Sequence, residues 1–185
     1  MPDKPLRADA RRNRELVLAT ARDLLAADGA AVSFDAIAHA AGLGVGTVYR
    51  HFPDRQALFA AVILERIVAF TADARAATEA DDPGGAFLDF FVRLARQVAL
   101  NQALCDAMDT GPLLVPDPMR AEFLAVLGGL LARAQRTGTI RADLDVTDLL
   151  DLVIGFAAAG RRAHHRGRAD TMVAIAAAGL LVRQS

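Results

Sequence analysis

The segment at residues 45–51 contains four side chains that could donate hydrogen bonds to a polar partner: Thr47, Tyr49, Arg50 and His51. Hydroxyl, imidazole and guanidinium groups all suit phosphate oxygens and base edges, and an arginine can bind guanine in the major groove of DNA. Gly46, just before them, would let one backbone approach another closely. In the alternative interpretation, Tyr49 and His51 only pack against the next helix. The combination of groups favours contact with a nucleic acid.

Two short helices around a tight turn would hold this segment in place. Ser33 is positioned to cap the first helix, predicted at residues 34–41, and Gly42 supplies the turn, where a positive φ is needed. The second short helix then runs to about His51. Together these elements predict a helix-turn-helix over residues 34–52.

The sizes of the side chains support the same motif. Ala38, Gly42 and Val48 have the spacing that a steep crossing of two short helices requires. Ala38 is small enough for the crossing, while Ile37, Leu43 and Val48 would pin the pair to a supporting helix. Because similar triples arise by chance in an alanine-rich chain, the polar residues of the second helix carry more of the argument.

The whole chain is predicted to be all-α, since it is rich in alanine, leucine and arginine and shows no sustained alternation of apolar and polar residues. The supporting helix, at residues 9–28, would end at Gly29. Its predicted buried stripe is Val17, Ala21, Leu24 and Leu25. Pro53 ends the second short helix, and Asp54 is placed to cap a long helix that reaches about Ala77. After a break at residues 79–85, further helices are predicted at residues 86–102, 119–137, 146–163 and 169–183.

Composition narrows the class of protein. A chain of 185 residues, 54% of them hydrophobic, can bury a substantial core, yet no apolar run reaches the roughly 18 to 20 residues that span a bilayer. The single cysteine, Cys105, cannot form an internal disulfide, which suits a reducing cytoplasm. The net charge is -1, but the first 22 residues carry six basic residues against three acidic ones. In the alternative interpretation, these charges belong only to a solvent-exposed helix face with a basic tail. We expect a cytoplasmic protein with a basic N-terminal end.

The first third of the chain resembles the N-terminal signature of the TetR/AcrR family of regulators. The resemblance is carried by SFDAIAHAAGLGVGTVYRHFPDRQAL at residues 33–58 and extends back to Val17 and Gly29. Its most specific part is GTVYRHF at residues 46–52, with the alanine and leucine at residues 57–58. The sequence departs from the family pattern at Gly44 and Val45, which replace a pair that usually contains serine. It departs again at Ala30, where an aromatic residue is common.

The resemblance implies an N-terminal DNA-binding domain at residues 1–58 and a C-terminal helical domain for effector binding and dimerisation at residues 59–185, joined by the long helix. It implies phosphate and groove contacts at Thr47, Tyr49 and His51, and it puts Arg55 where a lysine beside the DNA backbone is frequent. The full set of predicted DNA-binding residues is Ser33, Val45, Gly46, Thr47, Tyr49, Arg50, His51 and Arg55. The implied mode of action is a homodimeric repressor on an inverted-repeat operator, released by a small molecule.

Eight side chains in the C-terminal part could line an effector cavity: Phe87, Phe90, Phe91, Cys105, Met108, Met119, Phe123 and Phe156. They could equally fill a helical core, which is the usual position of an aromatic or methionine stripe at helical spacing. Arg93 and Arg96 could bind an anionic ligand or simply face solvent. The last two predicted helices are too apolar for a lone surface, so we expect the homodimer to form through them.

Other kinds of site have little support, and we predict no enzyme activity, no cofactor and no metal. His164 and His165 are adjacent, so on a helix they point apart and do not chelate. GLGVG at residues 42–46 lacks both the preceding strand and the following lysine of a phosphate-binding loop. Two alternatives to a ligand-responsive regulator stay open. One is a helical enzyme or carrier for a lipophilic molecule, although no polar catalytic pair is visible, and the other is a regulator whose partner is a protein.

Overall fold

The computed structural model describes residues 4–28, 32–107, 115–164 and 169–182. These residues form eight α-helices and no strand beyond an isolated bridge between Ile140 and Leu181. The helices are α1 (Lys4–Asp28), α2 (Phe34–Ala40), α3 (Val45–His51), α4 (Arg55–Ala77), α5 (Pro83–Ala107), α6 (Asp117–Arg136), α7 (Val146–His164) and α8 (Ala169–Leu180). The predicted all-α fold is confirmed. None of the described helices is both long enough and apolar enough to cross a membrane.

The chain divides into two compact units, and the division falls within α4. The N-terminal unit runs up to Glu65, and the C-terminal unit is built from Arg66–Cys105 and from the described residues after Leu114. Each unit has its own set of buried apolar side chains. The helix-turn-helix belongs to the N-terminal unit.

Hydrogen bonds of the backbone form the turn between α2 and α3. The Leu43 N–H donates to the Ala38 carbonyl at 2.9 Å, and the Gly42 N–H donates to the His39 carbonyl at 3.1 Å. This pair of bonds is the Schellman pattern, which satisfies the last carbonyls of a helix. Gly42 has a φ of 66°, as the turn requires. The predicted role of Gly42 is confirmed.

Side-chain caps begin two of the helices at the predicted residues. Ser33 Oγ accepts a hydrogen bond from the Ala36 N–H at 3.1 Å, at the start of α2. Asp54 Oδ1 accepts one from the Ala57 N–H at 2.7 Å, at the start of α4. Both bonds satisfy backbone donors that a helix cannot satisfy internally, so these starts are local properties of the sequence.

The core of the N-terminal unit is built around α1. Val17, Ala21 and Leu25 of the predicted stripe are fully buried, together with Leu18, while Leu24 is half-buried. The short helices and the start of α4 add further buried side chains: Phe34, Ile37, Ala38, Val48, Leu58, Phe59, Val62 and Ile63. The first three helices are therefore held together by apolar packing, which leaves their polar side chains outside.

Helix α5 starts earlier than the sequence pattern predicts. It begins at Pro83, in the favoured first position of a helix, and Asp82 Oδ1 accepts a hydrogen bond from the Gly85 N–H at 3.0 Å. The prediction that residues up to 85 form a break was therefore wrong. Gly84 is needed in the first turn because a Cβ there would collide with the side chain of Thr139.

The core of the C-terminal unit lies between α4, α5, α6, α7 and α8. Three phenylalanines of α5, Phe87, Phe90 and Phe91, are almost completely buried in it. The other four helices add buried residues as well: Ala74, Leu127, Leu130, Leu131, Ala134, Leu149, Val153, Val173, Ala176 and Leu180. These positions follow the helical stripes visible in the sequence.

Helix α8 ends at Leu180, three residues before its predicted end at residue 183. The chain leaves the helix there because its backbone pairs with the α6–α7 connection. The Val182 N–H donates to the Thr139 carbonyl and the Arg141 N–H donates to the Leu180 carbonyl, each at 3.0 Å. The two bonds replace the next helical turn.

Some predicted features fall outside the described residues. They are Gly29 and Ala30, residue 108 with its methionine, residues 110–114 and the polar segment at 165–168. The side chains of Cys105, Phe156 and Ala157 also lie outside what the structure describes, although their helices are placed.

Candidate nucleic-acid interface

Helix α3 exposes two of its four polar side chains and leaves the other two half-buried. Val48 is fully buried and fixes the helix to the rest of the N-terminal unit, whereas Tyr49 is 54% exposed and Arg50 is exposed. Thr47 and His51 are half-buried. A short helix anchored by one apolar residue thus leaves hydroxyl, guanidinium and imidazole groups accessible to a partner.

The ring of Tyr49 is positioned by α2. Its centroid lies 4.8 Å from that of Phe34, with an angle of 61° between the two planes, which is an edge-to-face contact. Phe34 itself is buried. Because Tyr49 rests on α2 and stays more than half exposed, the interpretation in which it only packs against the next helix does not fit the observed contact. Phe34 was not among the predicted site residues and acts here as a positioning residue.

Open space surrounds the two glycines at the start of α3. A Cβ added to Gly44 or Gly46 would meet no atom of the chain within 4 Å. Gly44 has an ordinary φ of -72°, and its carbonyl accepts the Thr47 N–H at 2.8 Å, so the helix begins without a side-chain cap. Packing within the chain therefore does not explain glycine at position 46, whereas close approach of a partner backbone would.

One arginine lies at the end of α3 and another at the start of α4. The guanidinium of Arg14 on α1 lies 5.2 Å from the ring centroid of Phe52, the residue that ends α3, and that of Arg55 lies 5.5 Å from the ring of Phe59. Both arginines are exposed, and the ring contacts hold their charges at defined places. The sequence analysis did not name Arg14 as a site residue. Arg14 was only counted among the basic residues of the N-terminal end.

The two remaining predicted residues are Ser33, at the start of α2, and Val45, on α3 itself. Val45 is its exposed first residue. Ser33 is exposed and uses an oxygen lone pair for the cap of α2, which leaves its hydroxyl hydrogen as a donor. Six of the eight predicted residues thus lie on α3, while Ser33 lies at the start of α2 and Arg55 at the start of α4, all within the N-terminal unit.

The predicted effector residues have different positions in the C-terminal unit. Phe87, Phe90 and Phe91 fill the core, and Met119 is half-buried. Phe123 lines a cavity of about 40 Å³, whose full lining is Arg66, Ile67, Phe70, Gln97, Asn101 and Phe123. The sequence analysis did not predict the three polar residues of this lining. One of them had a signal in the sequence, because Arg66 occupies a position of the apolar stripe of α4.

The two arginines considered as ligand contacts face outward. Arg93 donates to Asp73 at 3.0 Å and its guanidinium lies 5.7 Å from the ring of Phe90, while Arg96 is exposed. Neither is among the residues that line the cavity. An exposed ion pair of this kind contributes little to stability, about 0 to 1 kcal/mol.

The last two helices carry an exposed apolar face. Ile154 is 52% exposed and Ile175 is 66% exposed. Small exposed residues surround them: Gly155, Ala158, Ala174, Ala178 and Gly179. Four apolar residues of these helices, Leu149, Val153, Ala176 and Leu180, are buried in the chain's own core and are not available to another molecule. The face available to another molecule is thus built from isoleucines, alanines and glycines.

Comparison with known proteins gives two matches to family models. The model described as bacterial regulatory proteins of the tetR family matches residues 17–62. The model described as the C-terminal domain of SbtR-like transcriptional regulators matches residues 82–182. No curated protein matches the chain.

Solved structures agree with the family models. A TetR transcription regulatory protein from Mycobacterium vanbaalenii is 41% identical, with 96% of this chain and 100% of that chain covered and a TM-score of 0.69. A TetR transcriptional regulator from Streptomyces coelicolor is 25% identical, with 92% and 99% covered and a TM-score of 0.69. One from Pectobacterium atrosepticum, 23% identical with 97% and 99% covered and a TM-score of 0.67, shares the fold. The chain therefore belongs to the TetR family of DNA-binding transcriptional regulators.

Proposed function

We propose that this protein is a cytoplasmic repressor that binds an inverted-repeat operator as a homodimer and leaves it when a small molecule binds. The DNA-binding domain would comprise residues 1–58 and the regulatory and dimerisation domain residues 59–185. A two-fold dimer presents two copies of α3 to successive major grooves, which requires a pseudo-palindromic site.

The observation that carries the DNA-binding part is the exposed donor set on α3. Val48 holds the helix, Phe34 supports Tyr49, and Arg50 lies on the exposed side. Buried apolar residues thus set the position of the helix, so its polar side chains are pre-organised for contacts with phosphates and bases.

Substitutions on α3 test this part. Arg50→Ala and Tyr49→Ala should each weaken operator binding by about 1 to 3 kcal/mol, which is roughly 5- to 150-fold, because each removes a side chain at the DNA surface. Fluorescence anisotropy with a labelled operator at fixed salt measures the effect. Arg136→Ala, an exposed arginine of α6, is the matched control and should leave the affinity unchanged. Unaltered affinity in both α3 variants, with wild-type helical content, would remove the assignment.

The dimer part is supported by the exposed face of α7 and α8. Isoleucines at more than half exposure, surrounded by alanine and glycine, form a surface onto which a second pair of helices can pack closely. A second copy of the chain offers the same surface, so the contact closes under two-fold symmetry.

A charge introduced on the exposed face of α7 and α8 tests whether the chain dimerises through this face. Ile175→Glu places a carboxylate at the proposed interface and should yield monomers at micromolar concentration in light scattering, with a parallel loss of operator affinity. Val68→Glu introduces the same charge at a comparably exposed apolar position of α4 and should leave the dimer intact. A wild-type chain that is monomeric at this concentration contradicts the proposal, as does a dimeric Ile175→Glu.

Release by an effector is supported by the cavity in the C-terminal unit. One of its sides is α4, the helix that also contains the last residues of the N-terminal unit. A ligand that binds one arrangement of α4 better than another would shift the population between DNA-binding and non-binding states.

A further inference from the structure

Helix α1 extends well beyond the core of the N-terminal unit. It runs from Lys4 to Asp28, and none of the described side chains before Val17, at residues 8–16, is buried. Isolated helices of about a dozen residues are only marginally stable in water. Packing of the unit therefore gives no reason for the helix to begin so early, and its N-terminal half, residues 4–16, is available to a partner.

Arginines of this half continue the buried stripe of α1. Arg11 and Arg14 precede Leu18 and Ala21 by seven residues each, which is nearly two full turns, so each arginine lies on the same side of the helix as its buried counterpart. Leu18 and Ala21 are buried in the core that α1 forms with α2 and α3. The face that is apolar inside the unit is therefore cationic where the helix leaves it.

The position of Arg14 shows that this face lies beside α3. Its guanidinium is 5.2 Å from the ring centroid of Phe52, the residue that ends α3, and its side chain stays exposed. The contact places one cation next to the helix that contains Tyr49 and Arg50. From Arg14 the helix continues back to Lys4, a length of about 15 Å. The basic face thus begins at the proposed DNA-binding helix and extends away from it.

The chain itself holds these charges only weakly. Arg11 Nε lies 3.8 Å from Glu15 Oε1, and Arg12 Nη1 lies 4.0 Å from Asp9 Oδ1, with all four side chains largely exposed. Exposed ion pairs one turn apart contribute little to stability, so a phosphate can replace the carboxylate beside Arg11. The guanidinium of Arg14 contacts a ring and, among the described residues, no carboxylate.

We propose that the N-terminal half of α1 is a second DNA-binding surface, on which Arg11 and Arg14 bind phosphates of the backbone next to the base pairs that α3 contacts. This inference rests on the proposed function, because the basic face is continuous with α3. The planar donor fork of arginine matches the oxygens of a phosphate. Phosphate contacts carry no sequence information, so this surface adds affinity and orients the protein without changing which bases are selected.

The double variant Arg11→Gln, Arg14→Gln tests the surface in the full-length protein, on an operator obtained by selection from random DNA. Each lost phosphate contact makes the slope of log K against log salt shallower by about 0.9. A dimer that loses two contacts on each protomer should therefore show a slope shallower by about 3 to 4, and an affinity at least about tenfold lower at about 100 mM salt. An unchanged slope would overturn the proposal.

A control with the same change of charge separates the local contact from the total charge. Arg22→Gln, Arg136→Gln removes two exposed arginines, one of which pairs with Glu65 near the other end of α1. This variant should keep the slope and the affinity of the wild type. A change as large as that of Arg11→Gln, Arg14→Gln would show that only the total charge matters and would contradict the proposal.

A purely structural role of Arg14 against Phe52 would give a different pattern. Arg14→Lys keeps the positive charge but loses the planar group over the ring, so it should keep the salt slope and bind within about threefold of the wild type. Arg14→Gln should make the slope shallower by about 2. Equal slopes in Arg14→Gln and the wild type, or the same loss in Arg14→Lys as in Arg14→Gln, would contradict a phosphate contact at Arg14.

Ethylation of single phosphates locates the contacts and needs only the wild-type protein. The ethylated positions that prevent binding should include phosphates beyond the selected base pairs of each half-site. These same positions should become tolerant of ethylation in Arg11→Gln, Arg14→Gln. Interference that is confined to the selected base pairs would contradict the second surface.

The selection also separates this inference from the proposed function. The double variant should select the same inverted repeat as the wild type, and a different selected sequence would indicate base contacts and contradict the proposal. A wild type that selects no inverted repeat contradicts the proposed operator but not the surface. The salt slopes are then compared on a duplex of random sequence, because phosphate contacts need no particular base, and equal slopes of wild type and double variant would overturn the surface.

Discussion

The arginines beside α3 and the Arg66 of α4 have opposite environments. In the N-terminal unit, Arg14, Arg50 and Arg55 are exposed, and the guanidinium groups of Arg14 and Arg55 lie over the rings of the buried Phe52 and Phe59. In the C-terminal unit, Arg66 is buried in an apolar stripe beside a cavity. The exposed arginines suit an extended, highly charged partner, whereas Arg66 is held within the packing of its own unit.

The difference also separates function from stability. The proposed DNA contacts lie outside the core, so their side chains can change with little effect on folding. The C-terminal unit holds its cavity within the packing of α4, α5 and α6, so changes there alter stability and binding together. Substitutions in the two units should therefore give different patterns of effects.

The largest contrast is expected between two aromatic residues. Phe90→Ala removes a fully buried ring of the C-terminal core and should lower the free energy of unfolding by about 3 to 5 kcal/mol. Tyr49→Ala removes an exposed ring with one edge-to-face partner and should cost only about 0.5 to 1.5 kcal/mol of stability while it weakens DNA binding. Urea denaturation followed by circular dichroism gives both values. Similar losses in the two variants would break the distinction between the units.

The turn of the N-terminal unit should be sensitive to a single methyl group. Gly42 has a positive φ, so Gly42→Ala should lower the free energy of unfolding by about 1 to 2 kcal/mol, and the loss should extend to DNA binding because the turn orients α3. Gly128→Ala in α6 is the matched control. A Cβ there meets no neighbouring atom, and the change should raise stability by about 0.5 to 1 kcal/mol. The same sign for both would contradict the account of the turn.

Gly46→Ala separates folding from DNA binding at one position. The open space around Gly46 predicts unchanged or slightly higher stability, by up to about 0.5 kcal/mol. The added methyl group should nevertheless weaken operator binding by about 1 kcal/mol, or roughly fivefold, if DNA approaches the backbone there. Thermal denaturation and anisotropy on the same sample compare the two effects. Unchanged DNA affinity would show that α3 meets DNA through other residues.

The smallest effect is expected at an exposed ion pair of the C-terminal unit. Arg141 Nε donates to Asp143 at 2.6 Å, and this hydrogen bond with the guanidinium lowers the pKa of Asp143 below its ordinary value. A carboxyl whose pKa is depressed by folding stabilises the native state above its unfolded pKa and loses that effect as the pH falls through its folded pKa. Asp143→Asn should therefore be slightly less stable than the wild type at pH 7, and the difference should shrink as the pH falls through the folded pKa of Asp143. Melting curves of both proteins from pH 7 downward test this prediction. A stability difference between them that grows as the pH falls would contradict it.

Local signals made most of the N-terminal unit predictable. Ser33, Gly42 and Asp54 act on backbone groups within three or four residues of themselves, so the sequence alone determines the ends of α2, the turn and the start of α4. The exposed polar residues of α3 were predictable because Val48 is the main apolar residue that such a short helix can bury. Only the support of Tyr49 by Phe34 required the crossing geometry of the two helices.

The cavity could not be predicted because its lining depends on packing between distant segments. Arg66, Gln97 and Phe123 come from three helices, and no sequence pattern states which faces of these helices meet. The phenylalanines of α5 were ambiguous, since the same helical spacing serves a core or a pocket, and Phe87, Phe90 and Phe91 belong to the core. An arginine inside the apolar stripe of α4 was the one available signal.

Selection of bound sequences from random double-stranded DNA tests the central claim most directly, because it assumes no operator. The wild-type protein should enrich an inverted repeat whose half-sites are separated by about one helical turn, and the combined variant Tyr49→Ala, Arg50→Ala should enrich none. Failure of the folded wild type to enrich a palindrome, or enrichment of the same palindrome by the variant, would contradict the claim that the exposed face of α3 recognises DNA.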